Sequence, residues 1–296
     1  MSSPSTFLNA PAALAVLLAL SCSVFWSLAN VYVRRASLAV GNLRAMFWAQ
    51  GIGSAVLFPL SCWLEGWPHF PAWTDLAVTA VASCFGYYGM SVAYTRGALT
   101  VVVPIVTAWS VPAAVVGVLW SGDTPSQGQW VGGALIVAGA LGNSVLASAP
   151  GDSSRSGVPV AAMLWAAASA IGFGVMVAGC ARMRGDLGAI GVIPAAWMAQ
   201  WVVLAPLLLL RREIGVPPPL SAVPVVAGMA LFEGAGFVCF TFATRLAPVA
   251  VVSPPASLSA LLTVLYGRVV LREPLSPARW GFIALAALGM FLAAGG

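Results

Sequence analysis

The sequence predicts an all-α integral membrane protein with ten transmembrane helices in two inverted five-helix repeats. Three observations predict this fold class: the composition, a series of apolar stretches long enough to cross a membrane, and a repeat that relates the two halves of the chain. Of the 296 residues, 60% are hydrophobic and 7% are charged. A soluble domain of this size does not need so many apolar residues to fill its core, so the composition places the chain in a lipid bilayer.

The apolar stretches predict where the chain crosses the membrane. A helix needs about 20 apolar residues to span about 30 Å of hydrocarbon. The connections between the stretches are short, and the most polar of them, residues 149–157, predicts a linker between a first repeat at 1–150 and a second at 151–296. The ten predicted spans are 11–33, 44–64, 73–95, 100–120, 128–148, 159–181, 190–210, 222–244, 249–271 and 278–294.

The repeat is visible in matched residues at a nearly constant spacing. Thr95 and Arg96 recur 149 residues later as Thr244 and Arg245. Further matches at a spacing of 150 pair Asp123, Ser126, Trp130 and Gly139 with Glu273, Ser276, Trp280 and Gly289. Two copies of an odd number of spans cross the bilayer in opposite senses, which is typical of secondary transporters with a substrate site between the halves.

Arginine and cysteine usage excludes several other functions. The charge of +5 comes from Arg alone, scattered over loops, so the chain lacks the basic face that nucleic-acid binding requires. Most of these Arg lie in the loops that follow odd-numbered spans, which by the positive-inside rule places both termini outside the cytoplasm. The five Cys lie in apolar segments without a CxxC motif, so we predict neither a disulfide framework nor a metal site.

Several local motifs carry a resemblance to a known family. Trp26-Ser27 lies near the end of the first span, Thr-Arg-x-Ala ends the third and eighth spans, and residues 271–281 read LREPLSPARWG. With the two five-span halves, this sequence resembles the EamA type of the drug/metabolite transporter superfamily along essentially the whole chain. The resemblance implies a protein of the bacterial inner membrane that exports or exchanges small metabolites. It also implies cytoplasmic termini, contrary to the distribution of Arg, so the orientation stays open.

Glu233 is the strongest candidate for a functional residue. It lies near the middle of the eighth predicted span, about 15 Å of helix from either end. An ionised carboxylate at that depth costs several kcal/mol, and such residues usually face a cavity or a partner. We predict that Glu233 binds a cationic substrate group or exchanges a proton during transport; the alternative is a protonated carboxyl group bonded to the backbone. Its repeat equivalent is Cys84.

Other polar and aromatic residues extend the candidate substrate site. Gln50 and Gln200 are repeat equivalents inside the second and seventh spans, where an amide suits either a polar ligand or a bond between helices. Aromatic side chains hold an ammonium group by cation–π attraction, although packing against lipid or helices is the alternative role. The aromatic candidates are Tyr87, Trp26, Trp109 and Trp165.

Prolines and glycines give two further predictions. Helix breaks at matched positions of two halves indicate a transport site, and the matched fourth and ninth spans carry the candidate breaks. Gly128-x-x-x-Gly132 opens the fifth span and suits packing against another helix or a second subunit of a homodimer. The predicted helix-interrupting residues are Pro104, Pro112, Pro254 and Pro255.

The sequence therefore predicts a secondary transporter that exports an amino acid or amine by alternating access, without a cofactor. The chain has no GxxxxGK[ST] motif for ATP, and no HExxH, GxSxG or intramembrane His for an intramembrane enzyme. Phosphorylated metabolites or nucleotide sugars are the alternative substrates, but they call for buried basic residues, and no Arg lies in the middle of a predicted span. A channel is a further alternative, although single-file pores usually carry repeated polar rings.

Overall fold

The computed structural model describes residues 10–69, 73–147, 158–210, 216–247 and 249–295. Within these ranges every regular element is a helix and none is a strand. The predicted linker at 149–157, and with it the boundary between the repeats, lies outside the described residues. The helices of the first half are α1 (Ala10–Val40), α2 (Asn42–Glu65), α3 (Trp73–Arg96), α4 (Leu99–Val106), α5 (Ser110–Ser121) and α6 (Gln127–Ala147).

The second half repeats this series with one fewer helix. Its members are α7 (Val160–Leu187), α8 (Val192–Leu210), α9 (Val223–Leu246), α10 (Val249–Val269) and α11 (Pro277–Gly295). Eight stretches in the described part of the chain are long and apolar enough to cross a membrane, with Leu99–Ser121 counted as one stretch. Two shorter apolar segments follow at Leu258–Val269 and Pro277–Ala293. Eight of the ten predicted spans therefore coincide with a candidate membrane span in the described part of the chain.

Two features of the helices differ from the prediction. The first helix runs to Val40 and includes Arg34 and Arg35, which the sequence placed in a loop. The fourth span is divided by a 3₁₀ turn at Thr107–Trp109, between Pro104 and Pro112. In contrast, α10 is continuous through Pro254 and Pro255, so the predicted pair of matched interruptions is wrong for the second half. Both prolines lie in the second turn of α10, near its start.

Helices of one half pack mainly against helices of the other. Trp26 packs against Gly236 and Tyr32 against Gly228, so α1 and α9 are antiparallel. The repeat-equivalent pair, α7 and α3, is also antiparallel, because residues 173 and 179 contact residues 86 and 79. The pairs α1–α10 and α7–α5 are both parallel. Asn30 bonds Thr263 and Arg35 bonds Tyr266, while Gly174 lies against Pro112 and Arg182 bonds the Trp120 carbonyl. Exchanging the halves thus reproduces the same pairs and directions.

Two further pairs, α2–α8 and α6–α11, join equivalent helices of the two halves and are antiparallel. We name the two ends of the bundle after the helices that begin there. The α4 end contains the first residues of α4 and the last of α10, and the α8 end contains the first residues of α8 and the last of α2. These directions leave Glu233 near the middle of α9, between the two ends.

Candidate functional site

Glu233 is buried in the centre of the bundle, with 8% of its surface exposed. Glycines on its own helix bring aromatic rings close to it. Trp26 of α1 lies against Gly236, and Tyr32 lies against Gly228. A Cβ at either glycine would overlap the ring, so the small residues of α9 allow α1 to approach the turn that carries the carboxyl group.

The carboxyl group of Glu233 ends a chain of three interacting side chains. The indole N–H of Trp197 in α8 donates to the Tyr87 hydroxyl of α3 over 3.1 Å. The Tyr87 side chain in turn interacts electrostatically with the Glu233 carboxyl group. Tyr87 and Trp197 are each 1% exposed, so both side chains are held by packing. The arrangement joins three helices of both halves to one carboxyl group.

Aromatic rings surround this chain. Phe237, one turn after Glu233, makes edge contacts with Trp26 at 5.3 Å and with Trp197 at 6.2 Å between ring centroids. Phe173 of α7 makes an edge contact with Tyr87 at 4.9 Å. The site therefore combines one ionisable carboxyl group with apolar, electron-rich faces, a combination suited to an ammonium group with an apolar substituent.

The structure brings together only part of the predicted site. Tyr87 and Trp26 lie around Glu233, and Gln200 is linked to α3 by the Ser83 hydroxyl, which donates to its Oε1 over 2.6 Å. Trp165 instead packs against Tyr88, with 5.4 Å between the ring centroids. Trp109 belongs to the 3₁₀ turn and is half-buried.

A second polar network beside Glu233 was not predicted. Tyr94, two turns after Tyr87 in α3, donates to the Oδ1 of Asn30 over 3.1 Å. The Nδ2 of Asn30 donates to Thr263 of α10 over 3.1 Å, and the Thr263 hydroxyl lies 3.3 Å from that of Ser27. The signal available in the sequence was the spacing of Trp26, Asn30 and Arg34, which places all three on one face of α1.

Glu273 forms the densest ionic cluster at the α4 end, although the sequence suggested only a loop residue. It is 9% exposed. Its carboxylate accepts the backbone N–H groups of Leu99 at 2.9 Å and Thr100 at 2.8 Å, the first residues of α4. Arg34 of α1 donates to the same carboxylate over 3.1 Å. A negative charge at a helix N-terminus is stabilising, so Glu273 ties the second half to two helices of the first.

A buried arginine adjoins this cluster. Arg279, in the first turn of α11, is 2% exposed. Its Nε donates to the Oδ1 of Asn143 over 3.0 Å, its Nη1 to the Pro274 carbonyl over 2.8 Å, and its Nη2 to the Thr100 hydroxyl over 3.2 Å. This cation is therefore bonded at the end of the bundle, away from Glu233.

At the α8 end, Glu65 makes a corresponding connection between the halves. Its carboxylate accepts the backbone N–H groups of Ile190 at 2.9 Å and Ala189 at 3.2 Å, just before α8. It also pairs with Arg245 at the end of α9. Each end of the bundle thus has, among the described residues, a carboxylate that bonds backbone N–H groups of the opposite half.

Comparisons with known proteins agree with the two-repeat arrangement. A model of the EamA-like transporter family matches the chain twice, over residues 13–145 and 160–295. A search of curated proteins found no match. Among solved structures, one crystal structure of a protein aligns with a TM-score of 0.63 and 18% identity, covering 94% of this chain and 96% of that one. At this identity the likeness shows a shared fold.

Proposed function

The chain belongs to the EamA-like transporter family, within the drug/metabolite transporter superfamily, and we propose that it carries an amino acid or amine by alternating access between two inverted five-helix halves. Members of this family are multi-pass membrane transporters and not enzymes. The proposed direction of transport is export, as the sequence predicted. The observation that carries the proposed substrate class is the burial of Glu233 among aromatic rings.

The directions of the packed helices support the inverted arrangement. Pairs that are equivalent under the repeat run in the same relative sense, and α2 is antiparallel to its own equivalent, α8. Ten alternating spans in two sets of five produce these relations. A rotation axis along the membrane normal would instead make equivalent helices parallel, so an experimental structure with parallel α2 and α8 would contradict the proposal.

A cationic substrate follows from the charges at the centre of the bundle. Among the Asp, Glu, Arg and His residues that the structure describes, Glu233 is the one that lies near the middle of a helix. Its ionised form is costly there without a counter-ion. An ammonium group would supply that counter-ion, and the faces of Trp26 and Phe237 would attract it. In the absence of substrate, a proton would neutralise the same group. Substrate and proton would then compete for one carboxylate, which couples export of the substrate to import of a proton.

The alternative substrates, phosphorylated metabolites or nucleotide sugars, require a cation at the site. Arg279 is the one described Arg that is buried, but its bonds to Asn143, Pro274 and Thr100 hold it at the α4 end. A phosphate beside Glu233 would face a like charge. The geometry therefore favours amines and amino acids.

The test is transport in proteoliposomes by Glu233→Gln, which keeps the size of the side chain and removes the exchangeable proton. We expect normal folding and loss of accumulation driven by a pH gradient. The matched control is Asp123→Asn, which removes an exposed carboxylate and is expected to transport like the wild type. Gradient-driven accumulation by Glu233→Gln at the wild-type rate would contradict the coupling role.

A further inference from the structure

Three amide atoms in the centre of the bundle have no hydrogen-bond partner among the described residues. They are the Oε1 and Nε2 of Gln50 and the Nε2 of Gln200. Gln50 is 1% exposed and Gln200 is 0% exposed, so bulk solvent does not satisfy them. A buried polar group without a partner costs about 1–3 kcal/mol, and such a cost at two repeat-equivalent positions indicates a site that a ligand completes.

The two amides lie at the same level of neighbouring helices. In the antiparallel pair α2–α8, Gly53 lies opposite Trp197, Gly51 lies opposite Trp201, and the Ser54 hydroxyl bonds the Pro194 carbonyl over 3.5 Å. This register places Gln50 of one helix opposite Gln200 of the other. The amides therefore stand at the pseudo-symmetry axis that relates the halves, where a substrate contacts both halves at once.

The amides are also close to the carboxyl site. Gln200 lies about one helical turn from Trp197 in α8, and its partner Ser83 lies one turn before Tyr87 in α3. One turn of helix rises about 5.4 Å. The amide level is therefore separated by about one turn from the Trp197–Tyr87–Glu233 chain, a distance that a small molecule with two polar groups spans.

We propose that Gln50 and Gln200 form the subsite for the substrate's carboxylate, so that the substrate is a zwitterionic amino acid in preference to a simple amine. This inference rests on the proposed function. The Oε1 of Gln200 already accepts the Ser83 hydroxyl. The Nε2 groups of Gln50 and Gln200 are therefore the donors that a ligand would use. Two N–H donors match the two oxygens of a carboxylate, and bonds to a charged acceptor are the stronger kind. Glu233 would hold the ammonium group.

A comparison of three related ligands tests the subsite. Leucine carries both charges, isoamylamine lacks the carboxylate, and leucinamide keeps the shape of leucine without the negative charge. Binding of each to the purified full-length protein is measured by equilibrium dialysis. We expect leucine to bind at least about 10-fold more tightly than isoamylamine or leucinamide, as one charge-assisted hydrogen bond provides.

Variants of the amides separate recognition from packing. In Gln50→Leu and Gln200→Leu, the Kd of leucine should rise about 10-fold or more, while that of isoamylamine stays unchanged. Gln50→Glu and Gln200→Glu keep the size of the side chain and should weaken leucine binding by repulsion without weakening isoamylamine. Glu233→Gln should weaken leucine and isoamylamine alike, because it removes the partner of the ammonium group that both share.

The outcomes distinguish this inference from the proposed function. Equal affinity of the wild type for leucine and isoamylamine would overturn the carboxylate subsite and leave amine transport standing. A parallel loss of both ligands in the amide variants, with a lower melting temperature, would show that the amides hold α2 against α8. If the wild type binds none of the three ligands and instead binds a sugar phosphate, the proposed function fails and the subsite fails with it.

Discussion

The loops that precede α6 and α11 are repeat equivalents, yet their acidic residues occupy opposite environments. Glu273, before α11, is 9% exposed and bonds the N-terminus of α4 and Arg34. Asp123, 150 residues earlier, is exposed, and the bond described for it runs from its own N–H to the Gly117 carbonyl over 3.2 Å. The same loop position therefore carries a buried carboxylate that connects helices in one half and an exposed carboxylate in the other.

This difference shows how symmetric halves form an asymmetric molecule. Alternating access requires the two ends of a transporter to differ in any one conformation. The Glu273 cluster closes the corner between α1, α4 and α10 at the α4 end, whereas the Asp123 loop borders a surface groove with Ser110, Gln129 and Ala293 at the α8 end. The unequal loops therefore support the proposed mechanism.

The largest expected effect separates the two acids directly. Glu273→Gln removes a buried charge from two helix N–H groups and Arg34, so we expect it to lower the free energy of unfolding by about 2–3 kcal/mol. Asp123→Asn should change it by less than about 0.5 kcal/mol, because its carboxylate is exposed. Melting temperatures of both variants in one detergent provide the measurement. Equal shifts would show that the two loops have equal roles in solution.

Where the halves are structurally equivalent, matched variants should have equal effects. A Cβ at Gly139 would lie 2.6 Å from the Phe282 carbonyl oxygen, and one at Gly289 would lie 2.7 Å from the Ile136 nitrogen. Both contacts are with backbone, which cannot move aside easily, so we expect Gly139→Ala and Gly289→Ala each to cost about 1–3 kcal/mol. The control is Gly281→Ala, with no atom within 4 Å of the added Cβ. A strongly unequal pair of thermal shifts would contradict the equivalence of α6 and α11.

A smaller effect is expected from the polar network that exists in one half only. Tyr94 and Thr263 correspond in the repeat to Ala243 and Ala113, which cannot form the same bonds. Tyr94→Phe removes one buried bond and should cost about 1 kcal/mol. The matched control is Tyr266→Phe, which loses an exposed bond to Arg35 and is expected to be nearly neutral. If both variants melt at the wild-type temperature, the Asn30 network contributes nothing to stability.

Sequence reasoning predicted properties that depend on neighbouring residues or on one fixed spacing. The depth of Glu233 followed from counting along its own helix, and the helical class and the repeat followed from composition and spacing. The role of Glu273 could not be predicted in this way, because the N–H groups that it bonds lie 173 and 174 residues away in the chain. The helical state of Arg34 and Arg35 was missed because their charge resembled a loop, whereas the fold gives Arg34 a carboxylate and Arg35 a tyrosine hydroxyl.

The glycine contact between α6 and α11 also has a consequence for biosynthesis. Gly139 and Phe282 pack together, yet the ribosome adds roughly 140 residues between them, which takes on the order of ten seconds at about 5–20 residues per second. During that interval the glycine-lined face of α6 is inserted without its native neighbour. Another nascent copy of the chain presents the same face and the same missing helix, so the order of synthesis creates a period in which α11 of one copy can pair with α6 of another. Such exchange between copies is a form of misassembly that this order of synthesis favours.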